Sequence, residues 1–449
     1  MARNVNMTSG NLFKNMIIYT IPIILTGVLQ MLFNAADLVV IGHFRGSASI
    51  GAVGATGSLI NLIVNLFIGL STGVSVVVAN AMGAEDRETV HKTVHTAIPV
   101  ALIGGVFLSI VGFFLSKPLL SLMDTPAELI NKSALYMKIY FLGSVFSLVY
   151  NFGAAVLRAV GDTRGPLIYL TLGGAANVVL NIIFITLFNM DVEGVAIATV
   201  VSQAISAILV VIRLVKSTDV YALELTKMKI YKKELLKIVK IGLPAGIQGS
   251  TFSISNVLIQ SSINSFGASA VAGNAAASNI EGFMYIIVNS FCQTVMNFTS
   301  QNVGARQYSR INKILVTSII SMAVTSTLIG AIALIFSKQL LGIYIPDDIN
   351  AVNIGMVRMS VIIFPYAICG FMENTAGAVR GMGSSLAAML VSVFGICGIR
   401  ILWIYTVFRS PLYHSLSSLY VSYIISWTVT AIGHFICYII VRRKLIKGS

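Results

Sequence analysis

The sequence predicts an all-α integral membrane protein of twelve transmembrane helices, arranged as two six-helix bundles. Three observations predict it. Of 449 residues, 56% are hydrophobic and only 10% charged, whereas a soluble domain carries about 25% charged residues. Twelve apolar runs, centred near residues 30, 68, 104, 145, 176, 203, 252, 289, 325, 368, 396 and 429, are each long enough for the roughly 20 residues that cross a bilayer as helix. The chain also repeats itself. Shifted by 222 residues, Pro22 meets Pro244, Gly27 meets Gly249, Asn34 meets Asn256, Phe44 meets Phe266 and Gly51 meets Gly273.

The polar segment SGNLFKNM is expected to lie on the inner membrane surface before the first span. That span holds Asp37 near its middle, and Thr26, Gln30, Asn34 and Asp37 follow at helical spacing on one face. A mid-span aspartate costs about 2.5–3.5 kcal/mol on insertion scales, so it requires a partner or a hydrated cavity. Its counterpart in the repeat is Ile259, so one element is used twice and charged once. The run is too long for a signal peptide and lacks a small-residue cleavage site.

After the second span comes GAEDRETVHK and after the eighth GARQYSRINK, matching Gly83, Ala84 and Lys92 to Gly304, Ala305 and Lys313. A third pair, LRAVGDTR and VRGMGSSL, aligns Arg158 with Arg380 and Gly161 with Gly383, and Gly173 then meets Gly395. Ordered matches with an even number of spans per half imply parallel copies about a pseudo-two-fold axis along the membrane normal. The divisions expected are an N-lobe at 1–215 (spans 1–6), a basic linker at 216–236 and a C-lobe at 237–449 (spans 7–12). The linker's LTKMKIYKKELLKIVK, basic with apolar residues at helical spacing, is expected to rest on the inner leaflet.

The fifth span places Asn177 and Asn181 one turn apart, and the sixth places Thr199 and Gln203 on one face. With Asp37 they offer a carboxylate and neutral oxygens, the donors a proton or a hard cation such as Na⁺ would meet. The alternative for each Asn and Thr is ordinary interhelical hydrogen bonding. In the second half Asn256, Glu281, Glu373 and Arg400 fall within spans. Glu281, Glu373 and Arg400 either line a substrate cavity with Gln30, Asn34, Gln203 and Asn256, where two acids against one arginine would favour cationic cargo, or Arg400 neutralises a glutamate and the charges are structural. Met31, Phe33, Phe283, Met284 and Tyr366 are candidates to line such a cavity.

The net charge of +14 reports topology rather than nucleic-acid binding. In a twelve-span arrangement 22 Lys and Arg fall on the side of both termini and 7 on the other, with Arg400 inside a span. This asymmetry puts both termini in the cytoplasm, in contact with anionic lipid. The chain lacks a phosphate-cradling GxxxxGK[ST] loop, an HExxH motif and a nucleophile elbow, so no enzyme is expected. Its four cysteines are scattered through apolar runs as small hydrophobes. His91 and His95 are read as a solvated helix face rather than a zinc site.

FNAADLVVIGHF, the paired GA-x7-K loops, LRAVGDTR, ENTAGAVRGMG and GIRILWIY together resemble the multidrug and toxic compound extrusion (MATE) family over about residues 10–440. Within it the chain is similar to bacterial DinF-like members, which carry an aspartate where Asp37 stands and network partners at the positions of Asn177, Asn181 and Thr199. The resemblance implies a monomeric, multi-pass antiporter of the plasma membrane with no cofactor. Inward H⁺ or Na⁺ would expel organic cations or other amphipathic toxic compounds through a V-shaped cleft between the lobes. The family's NxxxD pattern reads Asn177-Val-Val-Leu-Asn181 here, so one carboxylate is missing, which favours H⁺ and leaves only weak Na⁺ binding at Asp37. The main alternative is a flippase for a lipid-linked precursor from the same superfamily, which would line its cavity with basic residues. A membrane enzyme would need clustered acids or histidines at one membrane face, and a channel suits two asymmetric halves poorly.

Overall fold

The computed structural model describes residues 4–123, 125–346 and 348–447, and among these the regular structure is helical throughout. The first half comprises α1 (Leu12–Arg45), α2 (Ser47–Gly83), α3 (Arg87–Leu122), α4 (Ala127–Leu142), α5 (Ser144–Ala159), α6 (Arg164–Thr186) and α7 (Val192–Val215). The second comprises α8 (Lys232–Asn264), α9 (Ala268–Gly304), α10 (Tyr308–Ile335), α11 (Ser337–Tyr344), α12 (Ile349–Ile362), α13 (Tyr366–Gly381), α14 (Ser385–Ser392), α15 (Ile399–Trp403) and α16 (Leu416–Lys447). Eight helices are long and apolar enough to span a membrane, and two bent pairs, α4 with α5 and α12 with α13, bring the number to ten. α8 and α9, at 33 and 37 residues, are long enough but more polar, and complete the twelve.

Each bend has a local cause. α4 and α5 meet at 48° around Gly143, where a Cβ would come within 2.4 Å of Val200 Cγ2 on α7. α12 and α13 meet at 52° across Pro365, whose ring nitrogen cannot carry the helical hydrogen bond onward. Between α14 and α16 the chain is π-helical at Val393–Gly398 and again at Ile404–Phe408, with α15 held between. The repeat is visible in the backbone. Left-handed φ values recur in pairs, at Gly46 (83°) and Gly267 (92°), Glu85 (56°) and Arg306 (55°), and Gly161 (97°) and Gly383 (85°).

Two compact units result, one covering Ile17–Gly246 with the start of the chain, the other Met7–Met16 with Ile247 onward. The division differs from the expected one at 216–236. In the first unit Val5 N–H donates to Gly161 O at 3.1 Å. The opening turns of α8 also belong there, because glycines admit backbone contact. A Cβ on Gly69 would lie 2.2 Å from Gly246 N, and one on Gly242 would lie 2.6 Å from Leu70 Cα. In the second unit Met7 O accepts from Asn302 Nδ2 at 2.9 Å.

The two segments expected at the inner surface have the following local structure. α1 begins at Leu12, so most of SGNLFKNM is helical already. The linker forms only a short 3₁₀ turn, Leu225–Lys227, before α8 starts at Lys232. Backbone bonds to side chains of α3 hold it there. Glu224 N–H donates to His95 Nε2 at 3.0 Å and Tyr231 N–H to Thr96 Oγ1 at 3.1 Å. His95 is therefore fully buried, where a solvated face was expected. With Nε2 accepting, its Nδ1–H donates to His91 O at 2.8 Å. The described residues hold no cluster of three or more His, Cys, Asp or Glu fit for a metal.

Candidate functional site

The first unit packs its core around Ile41, Leu120, Met137, Phe141 and Val195. Asp37 lies one turn before Ile41 on α1 and is itself buried. Two adjacent glycines on α6 set its surroundings. A Cβ on Gly174 would fall 1.9 Å from Phe33 Cε2, so this glycine is what allows α1 to press its Phe33 onto α6. A Cβ on Gly173 would meet Ser206 Oγ at 2.2 Å and Ser202 O at 2.7 Å, so α7 lies equally close on the other side.

One turn further along, the three helices bring Asp37, Asn177, Asn181 and Thr199 together. Asn181 Nδ2 donates to Asp37 Oδ1 at 2.5 Å and approaches Asn177 Oδ1 at 3.3 Å. Thr199 Oγ1 stands 3.4 Å from Asp37 Oδ2, but its shorter bond is to Val195 O at 2.9 Å, and a hydroxyl has one proton to give. Asn177 Nδ2 reaches Thr199 Oγ1 at 3.5 Å. Asn181 Oδ1 is buried without a hydrogen-bond partner. Among the described residues no Lys, Arg or His is a partner of Asp37. The site is thus a carboxyl in the protein interior with one strong donor, no counter-ion, and acceptor oxygens left over.

The other residues singled out from the sequence divide. Gln30 and Asn34 are exposed on α1, and Gln203 is half-buried beside the Tyr140 hydroxyl. Phe33, Met284 and Tyr366 serve packing, the last against Trp427. Neither glutamate is a free acid. Glu281 forms a two-pronged ion pair with Arg358, Nε to Oε1 and Nη2 to Oε2 both at 2.7 Å, with both side chains buried. Glu373 is paired more loosely with Arg380 at 3.8 Å. Arg400, weighed above as the neutralising partner, bonds to neither glutamate and instead meets Asn256 Oδ1 at 3.2 Å. Two acids already matched to arginines do not make a cation-attracting wall, so the reading of Glu281 and Glu373 as cargo sensors loses its electrostatic basis.

Sequence reasoning missed Arg358, since it placed only Arg400 among the Lys and Arg within a span. Besides Glu281, its Nη1 donates to Asn274 Oδ1 at 2.5 Å, and the guanidinium lies 5.4 Å from the ring centroids of both Tyr420 and Tyr423. Asn274 in turn donates to Gln260 Oε1 at 2.8 Å.

Comparison with known proteins agrees with this architecture. The chain is 27% identical over 396 residues, 88% of each chain, to the probable multidrug resistance protein YpnP of Bacillus subtilis. It is 25% identical to the probable multidrug resistance protein NorM of Thermotoga maritima, over 86% of this chain and 84% of that one. Its fold superposes with a TM-score of 0.91 on an outward-facing multidrug resistance MATE family transporter of the MOP superfamily, covering 100% and 99% of the two chains at 22% identity. The MatE family model matches twice, over residues 22–183 and 244–406, once in each copy of the repeat, and the chain belongs to that family.

Proposed function

We propose that the protein is a secondary multidrug exporter in which proton entry at Asp37 drives cargo out of the cell by alternating access. The relatives' names, multidrug resistance proteins, support drugs as the cargo class, and the positive-inside bias supports the orientation, with both termini in the cytoplasm. One observation carries the choice of ion. Asp37 is buried with Asn181 as its one strong donor and no cation, while Thr199 already gives its proton to Val195 O. A proton on the carboxyl supplies the missing donor toward Thr199 Oγ1 and removes an uncompensated interior charge. Sodium would find a single formal charge and neutral oxygens, a set that binds hard cations weakly.

Loading and unloading of that proton changes what α1 can pack against. α1 carries Pro22 in its interior, and Thr26 Oγ1 donates to Pro22 O at 2.7 Å, where a ladder already lacking one N–H is easily bent. Protonation from outside would neutralise Asp37 and let α1 repack, and release to the cytoplasm would restore the charge. The test is dye efflux in inverted vesicles driven in turn by a proton gradient and by a sodium gradient. Response to sodium at fixed pH, with none to protons, would overturn the assignment.

A further inference from the structure

The second unit contains a buried cation that its own acids leave unneutralised. Arg400 is only 4% exposed. Its Nε donates to Ser426 Oγ at 3.2 Å and its Nη1 to Ser255 Oγ at 3.3 Å and Asn256 Oδ1 at 3.2 Å, all neutral oxygens. The guanidinium stacks 4.0 Å from the ring centroid of Tyr423, the ring that Arg358 approaches from 5.4 Å. Two guanidiniums therefore flank one tyrosine while one carboxylate, Glu281, serves them, and Arg358 holds both of its oxygens. Among the described residues Nη2 of Arg400 has no hydrogen-bond partner.

A buried charge without a counter-ion costs several kcal/mol, and neutral oxygens and the Tyr423 ring relieve that of Arg400 only in part, with no carboxylate paired to it among the described residues. The surroundings also show construction. Arg400 sits in α15, the five-residue α-helical piece between two π-helical stretches. π-helical turns are rare and gather at functional positions, because the extra residue re-aims the side chains beyond it. Asn256, which shares Nη1, is exposed on α8, so one edge of the site reaches the surface of the unit.

We propose that Arg400, with Asn256 and Ser255, binds an anionic group, a carboxylate or a phosphate. The planar fork of a guanidinium matches both in a two-pronged fashion, and a neutral amide and hydroxyl beside it complete the contact without a competing charge. The anion belongs either to a transported compound or to a lipid headgroup. If it belongs to cargo, this rests on the export reading above and adds that exported compounds include anions or zwitterions as well as cations.

The chain has two tryptophans, and both report on this site. Trp403 ends α15, and the Trp427 ring lies 5.8 Å from that of Tyr423. The test is intrinsic fluorescence of the purified full chain in neutral detergent at constant ionic strength, titrated with sodium benzoate and, as a matched cation, benzylammonium. A saturable response to benzoate and none to benzylammonium is expected. Arg400→Gln should weaken benzoate binding roughly tenfold or more, as loss of a charge-assisted hydrogen bond does. Asn256→Ala, which leaves the buried charge in place and alters only an exposed side chain, should weaken it several-fold and covers the case in which Arg400→Gln does not fold. Phosphatidylglycerol in mixed micelles separates the sources. Displacement of benzoate by it assigns the site to lipid, and no displacement assigns it to cargo. No saturable benzoate response in the parent, or an equal one in both variants, overturns the proposal. The measurement involves no gradient, so its failure leaves coupling at Asp37 untouched, and loss of efflux in an Asp37 variant leaves the binding result untouched.

Discussion

Asp37→Asn is the perturbation that separates charge from packing at the proposed coupling site. Asparagine has the shape of aspartate, and the contacts present suit it. Its oxygen can accept from Asn181 Nδ2, and its amide can donate toward Thr199 Oγ1, whose own proton goes to Val195 O. No hydrogen bond need be lost and an unpaired interior charge disappears, so the variant should unfold no earlier than the parent. What it loses is the exchangeable proton. A pH difference of one unit supplies about 1.4 kcal/mol per proton, so electroneutral one-for-one exchange in the parent sustains a cargo ratio of roughly tenfold across the vesicle wall. With no group to protonate, the variant's ratio should stay near one. The assay is accumulation of a fluorescent cation in proteoliposomes with an imposed pH step, no membrane potential and no sodium gradient, beside thermal unfolding in detergent. A variant that reaches the parental ratio refutes Asp37 as the carrier. A variant that unfolds much earlier refutes the hydrogen-bond account given for its site.

Three further outcomes follow from the same contacts. Glu281→Gln or Arg358→Met alone should destabilise the protein by about 3–5 kcal/mol, because each leaves one buried charge unmatched, while Glu281→Leu with Arg358→Met together should recover most of that loss in thermal unfolding; unchanged melting of the single variants would mean that the pair does not hold α9 to α12. Gly174→Ala should cost about 1–3 kcal/mol through collision with Phe33, and adding Phe33→Leu should restore stability; if it does not, this glycine is not what sets α1 against α6. Asp86, outside the membrane at the start of α3, accepts from the N–H and hydroxyl of Thr89, which hold its carboxyl below the usual range. A group depressed in this way stabilises the fold above its unfolded pKa and loses that effect as pH falls through its folded one, so the melting difference between parent and Asp86→Ala should be present at neutral pH and vanish in acid. A difference that persists in acid would show that the carboxylate's charge is not what caps the helix.

The spans were legible in the sequence because lipid leaves the chain little choice, and each helix must satisfy its own backbone over a run of apolar residues. Asp37 was legible for the same reason, since a charge in such a run stands out, whereas Asn177 and Asn181, one turn apart, and Thr199 were tied to it as network partners by the family resemblance. Arg358 was not, and the cause is geometric. A straight span of some 20 residues centred near 368 begins at about 358, so a charge there reads as the edge of a loop. Pro365 divides that span instead, and α12 and α13 together run from Ile349 to Gly381, which draws Arg358 into the interior beside Glu281. The available signal was Glu281 itself, an interior acid with no partner in its own helix.

The repeat duplicated the scaffold and not the charges. Asp37 aligns with Ile259, and Glu281 with Leu59, so neither half inherited the other's electrostatics. Each half nevertheless holds an interior charge with no ion-pair partner among the described residues, negative at Asp37 and positive at Arg400. A static fold gains nothing from either, because an uncompensated interior charge costs several kcal/mol and an apolar residue of similar size would not. Such charges are accounted for if their partners are mobile, a proton at Asp37 and an anion at Arg400. A transporter whose steps are the arrival and departure of those partners would need both sites to be incomplete when empty.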